Sequence, residues 1–343
     1  MKINVGVVGA TGVVGETFLQ VLEDQDFPVG ELKLFASENS DGVKLTCQAR
    51  TFSVQQLSEG CFDGLDLVFF SSGDDISLEW APKAVAAGAY AVDNSAAFRM
   101  NPDYPLIVPE VNGDLIPQKS KGAKPTIIAN PNCSTIQLVV ALAPLAKVYG
   151  ISAVRVASYQ SVSGAGRAGI EELLSTTRLA IEGEEISSSA TFPAPVTFNC
   201  VPQIGSINAD GFCTEEIKIM TEARKIMRLP QLPVSAFTVR VPTLNGHAEA
   251  VWVTLDKADL KVADVEKTLA AHPGIVVSGL GGEGPKPFPT QKTASGQDPV
   301  YIGRVHSDLN DAKTWLMWVV SDNLRKGAAL NGLQIAARIF SIS

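Results

Sequence analysis

The sequence predicts an α/β protein of two domains, a Rossmann-type doubly wound parallel sheet and an α+β domain with a mostly antiparallel sheet. Three observations carry this. Short apolar runs alternate with helical stretches from the N-terminus to about residue 130. A glycine loop, Gly9-Ala10-Thr11-Gly12-Val13-Val14-Gly15, joins the first strand to the first helix. After Cys133 the pattern changes to longer segments that alternate every second residue. The 343 residues also exceed what one ordinary core encloses.

In the first half, Val5-Gly6-Val7-Val8 reads as a buried strand, Glu16 to Glu23 as a helix, and Leu32 to Ala36 as a second strand. Leu67-Val68-Phe69-Phe70, a helix over Leu78 to Ala87, Tyr90-Ala91-Val92 and Thr126-Ile127-Ile128-Ala129 continue the alternation. Beyond Cys133 a helix through Leu145 leads to Val154–Tyr159. The next helix places Ile170, Leu173, Leu174 and Ile181 on one face, closed by Gly183. Phe237–Val241, Ala250–Leu255 and Trp315–Val320 alternate as antiparallel strands do, and a last helix starts near Asn323. Gly and Pro crowd 280–299, which reads as a loop.

Composition narrows the function. Hydrophobic residues at 45% and charged ones at 19% describe a globular chain, and no apolar run reaches the roughly 18 residues that span a bilayer. Met1-Lys2-Ile3-Asn4-Val5 enters a strand directly, without the pattern of a cleavable signal. The five cysteines form no C-x-x-C pair, and only three histidines accompany them. This favours a reducing cytosol and argues against a disulfide frame or a metal site. A net charge of −8 argues against nucleic acid as a partner.

Two local features carry chemistry. In the Gly9–Gly15 loop, glycines let the backbone turn sharply and approach a pyrophosphate held at the helix N-terminus. Its spacing, G-x-x-G-x-x-G, is a moderate signal alone and gains weight from the order strand, loop, helix, strand. At the end of the second strand, Ser37-Glu38-Asn39-Ser40 offers an acidic residue and small hydrogen-bonding groups but no arginine, so it leaves NAD and NADP both open. The second feature is Pro131-Asn132-Cys133-Ser134-Thr135, between a strand and an apolar helix. A thiol at a helix N-terminus is stabilised as thiolate, and the C-terminal edge of such a sheet is where ligands gather. An arbitrary cysteine is more often a small buried hydrophobe, the reading given to the other four.

Together with Ser95-Ala96-Ala97-Phe98-Arg99, Tyr159-Gln160-Ser161-Val162-Ser163-Gly164-Ala165-Gly166, Glu215-Glu216-Ile217-Lys218, Arg240 with His247, and Val319–Asn323 with Lys326–Ala329, these motifs resemble the aspartate-β-semialdehyde dehydrogenase family over nearly the whole chain. The resemblance implies NADPH-dependent reduction of L-aspartyl-4-phosphate to L-aspartate-4-semialdehyde with release of phosphate, a step of lysine, methionine, threonine and isoleucine biosynthesis. It implies Cys133 as the acylated nucleophile, His247 as the acid–base group and Gln160 as the residue that positions the thioester. Arg240 would hold the substrate carboxylate, Glu215 its ammonium, and Arg99, Lys218 and Asn132 the phosphate. For the cofactor it implies Gly9, Thr11, Gly12, Val13, Val14, Ser37, Asn39, Ser40 and Gly73, with Ser163, Gly164 and Asn323 at the nicotinamide end. The family often carries an arginine at the position of Asn39, so NADP is expected with NAD as the alternative. Domains of 1–132 completed by a helix over 322–343, and of 133–321 for catalysis and dimerisation, follow, with a homodimer or dimer of dimers as the assembly.

Without the resemblance, each residue has an ordinary reading. Arg240 and His247 flank Pro242–Gly246, a turn between strand patterns, and so are expected to face one cleft. A histidine near its usual pKa of about 6.5 suits proton transfer at neutral pH. Glu215 and Lys218 share a helix face that Thr214 can cap, as an exposed ion pair would. Arg99 reads as a surface residue and Gln160 as a structural hydrogen-bonder. Two rivals are an N-acetyl-γ-glutamyl-phosphate reductase, against which Glu215 argues, and a catalytically silent relative, against which the joint presence of Cys133, Gln160, Arg240 and His247 argues.

Overall fold

Ile3, Val5, Val7 and Val8 leave the first strand apolar on both faces, as the centre of a sheet covered by helices requires. In the computed structural model, which describes residues 2–279 and 287–342, this strand β1 (Ile3–Val8) runs parallel between β2 (Val29–Phe35) and β5 (Leu67–Phe70). The order β3-β4-β2-β1-β5-β6-β7 also includes β3 (Lys44–Cys47), β4 (Arg50–Gln55), β6 (Tyr90–Asp93) and β7 (Ile127–Ala129). Helices α1 (Val13–Asp24), α2 (Asp74–Ala86) and the short α3 (Pro109–Asn112) belong to the same unit, Met1–Asn132 with Ala328–Ser343. Phe18 of α1 stacks on Phe69 of β5 with ring centroids 4.0 Å apart. The hairpin β3–β4 is absent from the expectations above. Its turn, Gln48-Ala49, takes positive φ at both residues without the usual Asn-Gly signal.

The second unit, Cys133–Gly327, is built around α4 (Cys133–Tyr149), in which every residue from Ser134 to Leu142 is buried. Its six-stranded sheet has the order β11-β12-β13-β10-β8-β9. The strands are β8 (Ile151–Gln160), β9 (Val234–Arg240), β10 (His247–Leu255), β11 (Ile275–Val277), β12 (Val300–Ser307) and β13 (Thr314–Ser321). Helices α5 (Gly166–Ile181), α6 (Thr214–Met227), α7 (Val262–Ala270) and α8 (Gln291–Ala294) complete it.

Several expectations are corrected. The strand through Phe237 is not antiparallel to its neighbour: β9 pairs with β8 in parallel, and β10 pairs with the other edge of β8. The sheet is mixed, with antiparallel pairs β8–β10, β10–β13 and β12–β13. On α5 only Leu173 of the proposed face is buried, while Leu174 and Ile181 are exposed. The last helix, expected from about Asn323, opens irregularly. A π-helical turn, Arg325–Ala329, precedes α9 (Leu330–Phe340) of the first unit. Of the loop expected over 280–299, residues 280–286 lie outside the described residues, and Gln291–Ala294 is helical. Among the described residues no helix is long and apolar enough to cross a membrane.

Candidate active site

In the first unit the glycine loop is shaped by contacts that exclude side chains. Gly9 has φ +82°, and a Cβ there would lie 2.8 Å from the Ser71 carbonyl oxygen. A Cβ on Gly15 would lie 2.2 Å from the Gly9 carbonyl oxygen, so the loop closes onto its own helix. Gly12 is extended and hands over to Val13 and Val14, whose N–H groups belong to the first turn of α1. Thr11 Oγ1 lies 3.2 Å from Ser40 Oγ, which joins the loop to the turn after β2. That turn is a short 3₁₀ helix, Glu38–Ser40, preceded by Ser37, and Ser37, Glu38 and Asn39 are exposed. Gly73 stands in extended conformation before α2 with open space about its Cα.

Arg99 is buried, contrary to the surface position expected for it. Its Nε donates to the Asn130 carbonyl (3.0 Å) and its Nη2 to the Asn94 carbonyl (2.9 Å). The loop that carries it hangs on Asp93, which accepts from the hydroxyls of Ser77 and Ser95, both at 2.6 Å. Burial raises the Asp93 carboxyl pKa against those bonds. Arg99 is thereby fixed to the end of β7, two residues before Asn132, itself buried.

In the second unit, sheet register does the assembly. Arg240 and His247 are close in sequence, yet β8 lies between their strands. Gln160, the last residue of β8, pairs with Arg240 on one side and His247 on the other, and His247 pairs in turn with Ser321. Gln160 is buried and donates from Nε2 to Ser158 Oγ (3.2 Å). Arg240 Nη1 donates to the Ser161 carbonyl (2.6 Å), and its guanidinium lies 5.8 Å from the centre of the Phe192 ring. Burial lowers the Arg240 pKa, and Glu215 and Cys133 act electrostatically to raise it. A Cβ at Gly164 would meet Arg240 Nη1 at 2.9 Å and His247 Nε2 at 3.3 Å, so this glycine leaves both side chains uncovered. Gly327 does the same for Cys133, since a Cβ there would stand 2.9 Å from Cys133 Cβ.

His247 departs most from its expected state. It is fully buried, and burial pushes its pKa down to about 3, helped by the charge of Arg240 and opposed by the Gly246 carbonyl. The ring is therefore neutral at neutral pH. Its Nδ1 accepts from the Ser161 N–H (3.2 Å), which leaves the ring proton on Nε2, where the described protein offers no partner. Asn323 Oδ1 accepts from the Gly246 N–H (2.8 Å) and the hydroxyls of Ser161 (3.1 Å) and Ser163 (3.2 Å), while its Nδ2 donates to Ser163 Oγ (3.0 Å). Ser163 and Asn323 thus support the histidine loop, a role not anticipated for them. Gln291, also unanticipated, donates from Nε2 to Tyr159 and Gly246 carbonyls, each at 2.9 Å, and pins the same loop.

Glu215 is buried, and one of its oxygens lies 3.8 Å from Nζ of half-exposed Lys218. The helix cap is not Thr214. The residue before the helix is Cys213, whose N–H donates to Glu216 Oε2 (2.8 Å).

A loop suited to a dinucleotide, and a thiol at a helix start within electrostatic reach of an arginine that shares its sheet row with a glutamine and a histidine, define a class of nicotinamide-dependent oxidoreductases acting on acyl groups. Accordingly, residues 4–119 match the model of the semialdehyde dehydrogenase NAD binding domain, and residues 142–326 that of the semialdehyde dehydrogenase dimerisation domain. The aspartate-semialdehyde dehydrogenase of Aquifex aeolicus is 44% identical over 98% of this chain and 97% of its own. The crystal structure of aspartate semialdehyde dehydrogenase II complexed with ASA from Vibrio cholerae superposes with a TM-score of 0.93 at 41% identity, covering 99% of this chain and 98% of that one. The structure of the Candida albicans enzyme with NADP does so at 0.75 and 26%, over the full length of both. The chain belongs to the aspartate-semialdehyde dehydrogenase family.

Proposed function

We propose that this enzyme reduces L-aspartyl-4-phosphate to L-aspartate-4-semialdehyde through a thioester on Cys133, with NADP as its preferred cofactor. One observation carries the site assignment: a buried arginine, Arg240, within electrostatic reach of both the Cys133 thiol and the buried Glu215 carboxylate. An arginine fork binds a carboxylate in two-pronged fashion, and a buried acid pairs with an ammonium, so the two ends of an aspartyl group are complemented beside a nucleophile.

Cys133, at the start of α4, attacks the acyl carbon; the C–S bond forms and the phosphate leaves with the C–O bond electrons. When bound, the reduced nicotinamide supplies the hydride. His247 keeps its proton on Nε2 and offers it as a hydrogen bond to the developing oxyanion, which a neutral imidazole can do. Once the thioester carbon is reduced, the oxyanion collapses to the aldehyde as the C–S bond breaks and its electrons return to Cys133 as thiolate. Gln160, fixed between Arg240 and His247, orients the thioester carbonyl. Lys218, Arg99 and Asn132 are assigned to the phosphate.

The glycine loop fits a dinucleotide, since Gly9 and Gly15 stand where any side chain would close the approach to the N-terminus of α1. Gly9, Thr11, Gly12, Val13 and Val14 would hold the pyrophosphate, with Gly73 near it and Gly164 at the nicotinamide end. Ser37, Asn39 and Ser40 would serve the 2′-phosphate, a reading supported by the exposure of Glu38, whose charge water then screens. The dimerisation-domain match supports a homodimer or dimer of dimers, and five cysteines without a C-x-x-C pair support a cytoplasmic setting. The test is a parallel assay of aspartate semialdehyde and phosphate with NADP and with NAD, followed at the nicotinamide absorbance. NADP-preferring turnover that requires phosphate is expected. Turnover favouring NAD, or independent of phosphate, overturns the corresponding part.

A further inference from the structure

Two residues beyond His247, on the same face of β10, sits a carboxyl group that the reaction above does not use. Glu249 is fully buried, opposite Ser158 on β8 and Val319 on β13. It lies one row below the catalytic row Gln160–His247–Ser321, beneath α4. Among the described residues neither of its oxygens, nor Nε2 of the buried Gln137, makes a hydrogen bond of good geometry, although Gln137 stands close enough to act on the carboxyl as a donor. Gln137 is the polar group that acts on the carboxyl, and no charged side chain of the described residues does. Along the two elements themselves the nearest titratable groups are Cys133, four residues before Gln137 on α4, and His247, two residues before Glu249 on β10. β8 and β13 contribute only Ser158, Gln160, Val319 and Ser321. Arg240 and Glu215, on β9 and α6, belong to the site beyond Gln160. A bare carboxylate in such surroundings is strongly disfavoured, and burial pushes the Glu249 pKa well above the ordinary carboxyl range.

The neighbours of Glu249 are tied to the catalytic row. Ser321 Oγ donates to Gln137 Oε1 (2.7 Å), and Gln137 lies one helical turn after Cys133. Gln160 Nε2 donates to Ser158 Oγ, which leaves the Ser158 hydroxyl proton and lone pair for another partner. A protonated carboxyl offers one acceptor and one O–H donor, the complement of the Gln137 amide on one side and the Ser158 hydroxyl on the other. We propose that Glu249 is a positioning residue for the reaction: a carboxylic acid kept neutral, which braces the Cys133 turn of α4 through Gln137 and holds Gln160 through Ser158. The proposal rests on Cys133 and Gln160 acting as described above.

The test compares the wild-type holoenzyme with Glu249→Gln, which keeps an acceptor and an N–H donor, and Glu249→Leu, which keeps only the volume. Glu249→Gln should retain kcat/KM within about threefold. Glu249→Leu should lose at least about tenfold in kcat with KM nearly unchanged, since misplacing a reacting group penalises the transition state most. Its rate of Cys133 alkylation by iodoacetamide should also shift in pH midpoint. A neutral native acid that ionises when unfolded makes stability fall as pH rises above about 4.5, so the Tm of Glu249→Gln should gain on the wild-type value by roughly 2–4 °C per pH unit from about pH 5 upward, until the native carboxyl itself ionises. A constant margin would show an ionised Glu249 and overturn the proposal. So would Glu249→Gln losing as much activity as Glu249→Leu, or Glu249→Leu matching wild type in activity and alkylation. The Tm comparison needs only the glutamine variant and no turnover, so it stands or fails separately from the thioester reading.

Discussion

The glycine loop of the first unit and the thiol site of the second are built from opposite materials. The loop is made of backbone, shaped by the absence of side chains at Gly9 and Gly15. The thiol site is made of side chains that sequence neighbours do not supply. Gln160 reaches its place between Arg240 and His247 only because β9 crosses to the far edge of β8. A backbone site tolerates any side chain that leaves the path open, whereas a side-chain site depends on the identity of each member. The two should therefore respond very differently to substitution.

The largest effect is expected at the thiol. Cys133→Ser should fold with an unchanged Tm yet lose nearly all turnover, while exposed Cys200→Ser should match wild type. Substantial turnover by the serine variant would break the contrast at its centre. His247→Asn should lower kcat by roughly 10²–10⁴-fold. It should also alter acid stability. The folded pKa of His247, about 3, lies below the unfolded value, so its contribution is fully present above about pH 6.5 and is lost as pH falls toward 3. The wild-type Tm should fall across that window, and the asparagine variant should fall less. Equal acid sensitivity in urea titrations at pH 4 and 7 would place an ionised histidine in the native protein.

Arg240→Lys keeps the charge but loses the fork, at an expected cost on the order of 2–4 kcal/mol in kcat/KM for the semialdehyde. A near-wild-type value would remove Arg240 from the substrate. The smallest effect belongs to the loop region. Asn39→Arg, on an exposed turn, should widen the ratio of kcat/KM for NADP over NAD several-fold and leave kcat with NADP unchanged. If neither ratio moves, that turn does not contact the 2′-phosphate.

The same contrast governs what could be read from sequence. β5 was legible residue for residue, and β1, α1 and β6 within a few, because buried parallel strands and glycine turns leave strong local marks. The β3–β4 hairpin left none, its turn being Gln-Ala. Cys133 could be found from its place before an apolar helix. The burial of Arg99, the neutral state of His247 and the supporting parts played by Ser161, Gln137, Gln291 and Glu249 could not. Each depends on which strands become neighbours, and periodicity fixes the face of a residue without naming its partners. The parallel pairing of β9 illustrates this, since an alternating segment looks alike in either direction.

That pairing also bears on how the protein comes into being. Arg240 meets Ser161 across 79 positions of chain, and the Ser161 N–H meets His247 across 86. Loops of this length close late, because the entropy lost in closing them is recovered only once the sheet is formed. The first βαβ steps of the glycine loop close far shorter circuits. A refolding chain should therefore acquire its dinucleotide cradle before its chemistry, and return of catalytic activity should trail the return of helical and sheet signal.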